Sequence, residues 1–239
     1  MKKLLITLLA TASISSFAVG VTPQIESQIR TMLPNTKITA INYSTYAGLY
    51  EVLAGDNAFY VGLNNESEVI VGHILNIKTM QDETQVNIEL ANAKRFDYKS
   101  MDLSKTLKVG KGKKYMVVFI DPDCPYCQQL EAYLNTKLDK ITVHYVFIPL
   151  PMHPNAAAHT RQILCSSNPA GAVFDLMVNH KDLPDGSEAC QANADKTIKA
   201  NEDLARANGI NSTPYAITDT NKVIGGFNQA AFDKFIEGK

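Results

Sequence analysis

A chain of 239 residues is long for one compact domain and suits one of ordinary size plus a smaller one. Its 23 Lys and Arg against 24 Asp and Glu leave a formal net charge of −1, which argues against nucleic acid as a partner. The histidines, His73, His144, His153, His159 and His180, show neither His-x-His nor His-Glu-x-x-His spacing, so no metal or hydrolase site is marked and each reads as an ordinary surface or core residue.

Residues 1–20 carry Lys2 and Lys3, an apolar run over 4–10, and small residues ending in Phe17-Ala18-Val19-Gly20, the make-up of a secretory signal peptide. Thr7, Thr11, Ser13, Ser15 and Ser16 interrupt the stretch, which falls short of the roughly 20 apolar residues that span a bilayer. Cleavage before Val19 or Val21 is expected. Export makes disulfide chemistry available to the four cysteines, Cys124, Cys127, Cys165 and Cys190.

Thr22-Pro23 then reads as a helix cap with a first-turn proline, and Ile25, Ile29, Met32 and Leu33 share one helical face until Pro34. Short β-rich runs follow over 38–43, 49–53, 59–63 and 69–71, separated by Gly48, Gly55-Asp56-Asn57, Asn64-Asn65 and Gly72. They predict a small antiparallel sheet with a marginal core and edges that must be covered or paired, so self-association through it is expected. Tyr43, Leu49, Tyr50, Val52 and Tyr60 are candidates for its apolar surfaces, and in a small sheet each can equally be core or interface. Residues 80–98, polar and without glycine or proline, predict a solvated connecting helix. The basic stretch 108–114, with Gly110 and Gly112, lacks the terminal Lys-Ser/Thr of a phosphate loop and reads as a hinge.

The run Tyr115-Met116-Val117-Val118-Phe119-Ile120 predicts a buried strand. A helix over 124–138, a strand over 141–148, a largely helical stretch over 155–208, strands over 215–218 and 222–225 and a last helix over 229–236 follow. That order is thioredoxin-like. Cys124-Pro125-Tyr126-Cys127 sits where the first of these strands gives way to its helix. The helix terminus favours thiolate at Cys124, and Cys127 lies one turn on, within reach of closing a disulfide. Asp121 and Asp123 oppose that thiolate unless they face solvent or one caps the helix. Zinc held by Cys124, Cys127, Cys165 and Cys190 is the disfavoured alternative, because the second pair is widely spaced. Ser212-Thr213-Pro214 precedes a strand, and after such a Cys-x-x-Cys a cis-proline turn is expected there, its backbone free to pair with an extended substrate.

The segment Val117-Val118-Phe119-Ile120-Asp121-Pro122-Asp123-Cys124-Pro125-Tyr126-Cys127 resembles the active-site segment of the DsbC/DsbG family, and Thr213-Pro214 matches that family's cis-proline turn. The resemblance implies a mixed α+β and α/β chain: a signal peptide (1–20), a small cystatin-like α+β dimerisation domain (21–77), a helical linker and hinge (78–112), and a thioredoxin-like catalytic domain with a helical insertion (113–239). It further implies a periplasmic homodimer that isomerises or reduces non-native disulfides in misfolded exported proteins. Cys124 would attack and Cys127 resolve, Pro125 and Tyr126 would form the active-site dipeptide, and Thr213 and Pro214 would bind substrate. A membrane thiol reductase of the DsbD type would keep the pair reduced, with no cofactor and no metal. Pro125 matches the G-type members, which implies reduction of oxidised single cysteines with chaperone activity. Cys165 and Cys190 match the additional disulfide of the C type. A monomeric dithiol oxidase of the DsbA kind and a pure holdase chaperone are the alternatives, and the N-terminal module speaks against the oxidase.

Overall fold

The computed structural model describes residues 20–46, 48–55, 57–64 and 68–238, so the expected leader, apart from Gly20, and the junction at Val19 lie outside the described residues. Helix α1 (Pro23–Met32) begins where its cap puts it: the Ile25 N–H donates to Thr22 Oγ1 at 3.3 Å and Pro23 fills the first turn. Its apolar stripe packs on an antiparallel sheet of β1 (Ala40–Tyr43), β2 (Tyr50–Ala54), β3 (Asn57–Val61) and β4 (Ile70–Val71), paired in that order. A short hairpin of β5 (Leu75–Asn76) and β6 (Gln81–Asp82), which the sequence pattern does not signal, leads into α2 (Glu83–Arg95).

Side chains alternate across β2, and helices cover both of its faces. Tyr50 and Val52 meet Ile29 of α1, while Leu53 meets Ile88 of α2. The buried Glu51 carboxylate accepts hydrogen bonds from Tyr60 Oη (3.0 Å), Asn42 Nδ2 (2.9 Å) and Asn87 Nδ2 (2.8 Å), tying sheet to helix. This double cover decides one open reading and corrects one expectation. Tyr50, Val52 and Tyr60 are core residues, Leu49 is half-buried, and of the five surface candidates only Tyr43 is exposed. And α2 is not a solvated connector: Thr84, Ile88 and Asn92 form a buried stripe, a pattern that two polar members hide from hydrophobicity alone. Exposed apolar surface lies instead along the edge strand β4 and beyond it, where Val71 is 72%, Ile77 80% and Met80 72% exposed, with Val69, Ile70 and Leu75 beside them.

The second sheet is built from β7 (Leu107–Gly110), β8 (Lys114–Ile120), β9 (Ile141–Phe147), β10 (Tyr215–Thr218) and β11 (Val223–Gly225), in the order β11-β10-β8-β9-β7. Strands β8 and β9 are parallel and the other pairings antiparallel. Met116, Val118 and Ile120 face a core completed by α3 (Pro125–Asn135), α4 (Ala156–Cys165), α5 (Pro169–Met177) and α7 (Gln229–Glu237). Val117 and Phe119 face the other way, toward Phe96, Ile210 and Ala205 of α6 (Glu188–Ala207). A strand buried on both faces explains why 115–120 reads as an unbroken apolar run. The expected hinge is not one. Leu107–Gly110 is an edge strand paired with β9, and Gly112 passes so close to Lys140 that a Cβ there would lie 1.8 Å from the Lys140 carbonyl carbon, so that glycine serves close packing rather than mobility. β7 also lies ahead of residue 113, where the catalytic domain was expected to begin.

Cys165 at the end of α4 is bonded to Cys190 in the first turn of α6, with Cα atoms 5.9 Å apart. Gly186 makes room: a Cβ there would sit 2.4 Å from Cys165 Cβ. Closing a loop with a sequence separation of 25 contributes about 3 kcal/mol in the chain-entropy picture.

Under α3, Glu131 is 3% exposed and accepts a hydrogen bond from the Tyr145 hydroxyl. Burial pushes its carboxyl up to about 7 from an ordinary 4.5. Folded Glu131 therefore keeps its proton through a window where the unfolded chain has lost it, and its contribution to stability is full below 4.5 and lost as pH rises through about 7. Glu131→Gln keeps the acceptor for Tyr145 and removes the titration. In urea unfolding the wild type is expected to lose up to about 3 kcal/mol relative to this variant between those two pH values. Parallel pH profiles would show that Glu131 titrates as an ordinary carboxylate.

Candidate active site

Strand β8 ends at a tight turn in which the Cys124 N–H donates to the Asp121 carbonyl at 3.2 Å. This sets Cys124 at the N-cap of α3 with extended backbone, φ −74° and ψ 120°, and no side-chain capping bond. Pro125 occupies the first turn, where it suits the helix and removes one amide, and the remaining N–H groups of Tyr126 and Cys127 favour thiolate at Cys124. Cys124 and Cys127 are free thiols, and both are buried although Pro125 and Tyr126 between them are exposed. The register that pairs Tyr215 with Phe119 brings the chain just before β10 against this junction. There the Thr213–Pro214 peptide is cis, and the Thr213 carbonyl oxygen lies 3.7 Å from Cys124 Sγ.

The two sulfurs are unequal. The Cys124 thiol is pulled down to about 5 from an ordinary 9.0. The chief cause is the Cys127 thiol donating to it; the Cys127 and Tyr126 amides and the Thr213 hydroxyl add to this, and burial opposes it. Burial drives the Cys127 thiol far above its ordinary range, and donating a hydrogen bond to Cys124 drives it further, against the Asp121 backbone and the Thr213 hydroxyl, which lower it. Thr213 Oγ1 is buried without a hydrogen-bond partner among the described residues, and its hydroxyl favours thiolate at both sulfurs. The neighbouring thiol thus contributes more than any single amide of the helix terminus, which the motif alone singles out.

Two histidines that sequence reasoning passed over, His153 and His159, hold the aspartates on either side of Pro122. Asp121 is fully buried; its Oδ1 accepts the Asp123 N–H at 2.8 Å, and its Oδ2 accepts the Leu150 N–H at 2.6 Å and meets His153 Nδ1 at 2.9 Å. Asp123 Oδ1 in turn meets Nδ1 of His159, on α4. Neither aspartate caps α3, and Asp121 does not face solvent. The signal was present but indirect: two acids stand in a segment with no Lys or Arg between Lys114 and Lys137, and a buried carboxylate needs a donor from elsewhere in the chain. The remaining predicted site residues, Cys165 and Cys190, form a disulfide apart from the redox pair. Among the described residues no cluster of three or more His, Cys, Asp and Glu is gathered that could hold a metal, and no helix is long and apolar enough to cross a membrane.

Residues 101–238 match the family model described as a thioredoxin-like domain, and residues 11–85 match the disulfide bond isomerase protein N-terminal domain. A probable thiol:disulfide interchange protein DsbC of Bordetella avium is 28% identical over 184 residues, covering 77% of this chain and 64% of that protein. The corresponding Bordetella parapertussis protein is 33% identical over 147 residues, covering 62% and 51%. The thiol:disulfide interchange protein DsbC of Pasteurella multocida is 24% identical over 236 residues, 95% of each. The chain thus spans less than two thirds of the length of the Bordetella relatives it matches. The solved thiol-disulfide exchange protein alpha-DsbA2 from Wolbachia pipientis, 14% identical, shares the fold with a TM-score of 0.50 over 66% of this chain and 99% of that one. With more than half of its length matched by one model, over the domain whose β8–α3 junction carries Cys124 and Cys127, the chain belongs to the thioredoxin-like family, with the N-terminal domain of the disulfide bond isomerases ahead of it.

Proposed function

We propose that the chain is an exported, periplasmic thiol:disulfide interchange protein that isomerises or reduces non-native disulfides, with Cys124 as nucleophile and Cys127 as resolving thiol. The observation that carries this reading is the unequal pair: a stabilised thiolate at a helix N-terminus, over a buried thiol, against the backbone of a cis Thr213–Pro214 turn.

The chemistry follows from that asymmetry. Cys124 thiolate attacks one sulfur of a client disulfide; the client S–S bond breaks, one client thiolate leaves, and a mixed disulfide with Cys124 forms. A second client thiolate attacking the client sulfur of that bond gives a rearranged client disulfide and returns Cys124 as thiolate, with no net oxidation. Alternatively Cys127, once deprotonated, attacks Cys124 Sγ, which closes the Cys124–Cys127 disulfide and leaves the client reduced by two electrons. A dithiol reductant, in our reading a membrane thiol reductase of the DsbD type, then restores the pair. Thr213 and Pro214 hold an extended client by backbone pairing beside Cys124, with Pro125 and Tyr126 forming the exposed lip of the site.

The module over residues 21–77 is read as a dimerisation domain, the segment to about residue 106 as the linker, and the sheet from β7 to β11 with its helices as the catalytic unit. The dimer reading is supported by the β4 edge, unpaired among the described residues, and its exposed apolar side chains, which a second copy would cover through a two-fold interface.

Two measurements test these readings. Cys127→Ser should accumulate a mixed disulfide with a scrambled client, visible by mass spectrometry as an adduct on Cys124, whereas Cys124→Ser should form none. Adducts on neither variant would remove the proposed chemistry. Val71→Lys, which places a charge on the β4 edge of both copies, should raise the dimer dissociation constant more than about a hundredfold, since each buried apolar side chain contributes about 1.5–3 kcal/mol. A wild type that is monomeric by light scattering at micromolar concentration would refute the dimer.

A further inference from the structure

We propose that His153 and His159 are positioning residues for the thiol chemistry: each imidazole holds one of the two carboxylates flanking Cys124, and its protonation sets how strongly that carboxylate opposes the Cys124 thiolate. The inference rests on the reading of Cys124 as nucleophile.

The geometry makes Asp121 a fixed charge rather than a mobile one. It is fully buried, and two of its three hydrogen bonds come from backbone N–H groups, those of Asp123 and Leu150. Those donors hold it in place whether or not His153 is charged. Among the described residues, the hydrogen bonds to the two carboxylates come from these amides, His153 and His159, and none comes from a lysine or arginine. Arg161, a cation on α4 near His159 in sequence, is engaged with Asp195 of α6. The charged or titratable groups that face one another here are therefore Asp121 and Asp123 from the β8–α3 turn, Cys124 and Cys127 from the start of α3, and the two imidazoles from the segment after β9 and from α4. The turn at Thr213–Pro214 brings only a hydroxyl and a carbonyl.

The sign follows directly. With both imidazoles protonated, each histidine–aspartate pair is neutral overall, and the thiolate meets little net negative charge. When an imidazole loses its proton, Nδ1–H still donates to the carboxylate, but the pair carries −1 and disfavours the thiolate. Linkage makes the effect reciprocal: the thiolate favours imidazolium, and closing the Cys124–Cys127 disulfide, which removes that charge, releases part of the preference. The direction at His153 agrees, since its proton is held above the ordinary range chiefly by Asp121, with further contributions from Cys124 and Asp123. The consequence is a disulfide that becomes less oxidising as the histidines deprotonate, beyond the dependence that any dithiol shows.

The test uses the full chain. Histidine proton resonances followed against pH by NMR in the reduced and oxidised protein should show His153 titrating higher when the pair is reduced. His153→Asn and His159→Asn, which keep a neutral donor near the Nδ1 position, should each raise the Cys124 pKa by about one unit in thiolate absorbance titrations. Adding Asp123→Asn to His159→Asn should abolish that rise, an outcome that a histidine of merely structural importance would not produce. Equal histidine titration in both redox states would overturn the proposal without any variant having to fold, as would an unchanged Cys124 pKa in both Asn variants. Reaction of wild-type Cys124 with neutral hydroxyethyl disulfide separates the two readings: if it fails, the nucleophile assignment falls rather than the role of the histidines.

Discussion

The removal of Cys127 from water, one helical turn below Cys124, is the constraint from which the rest of the site follows. A buried thiol with no charge partner keeps its proton, and the most useful place for that proton is a hydrogen bond to the sulfur above it. Burial of one sulfur thus activates the other. The two cysteines are chemically alike in the sequence and become nucleophile and reserve only through their depth in the fold.

That depth is a product of the second sheet. Because β8 is buried on both faces and flanked by β9 and β10, the chain leaving it has a single direction in which to start α3, and Leu130 and Leu134 then draw that helix onto the core with Cys127 on the same side. β10 is registered against β8 so that the Thr213 carbonyl arrives beside Cys124. The same packing encloses Asp121, and an enclosed carboxylate must collect donors, which the segment after β9 supplies.

Local chemistry was largely legible in the residues. Thr22-Pro23 marked a helix start, the apolar run over 115–120 marked a doubly buried strand, and Cys-Pro-Tyr-Cys at its end marked the redox pair. What stayed hidden depended on partners distant in the chain. Gly110 and Gly112 read as freedom because the strand they pack against begins near residue 141. Thr84 and Asn92 read as solvated because their burial comes from surfaces that the helix pattern does not contain. His153 and His159 read as ordinary because a histidine has no spacing signature when its partner is a carboxylate some 30 residues away, at separations of 32 and 36.

The inequality of the two thiols underlies every step at this site, and selective alkylation measures it directly. The fully reduced chain is treated with iodoacetamide across a pH series, and the modified cysteine is located by mass spectrometry. The prediction is modification of Cys124 alone in the folded protein, at a rate that holds steady from neutral pH downward and then falls as pH drops through about 5, with Cys127 protected until the chain is denatured. Comparable reaction at both cysteines, or a midpoint near the ordinary thiol value of 9.0, would contradict it.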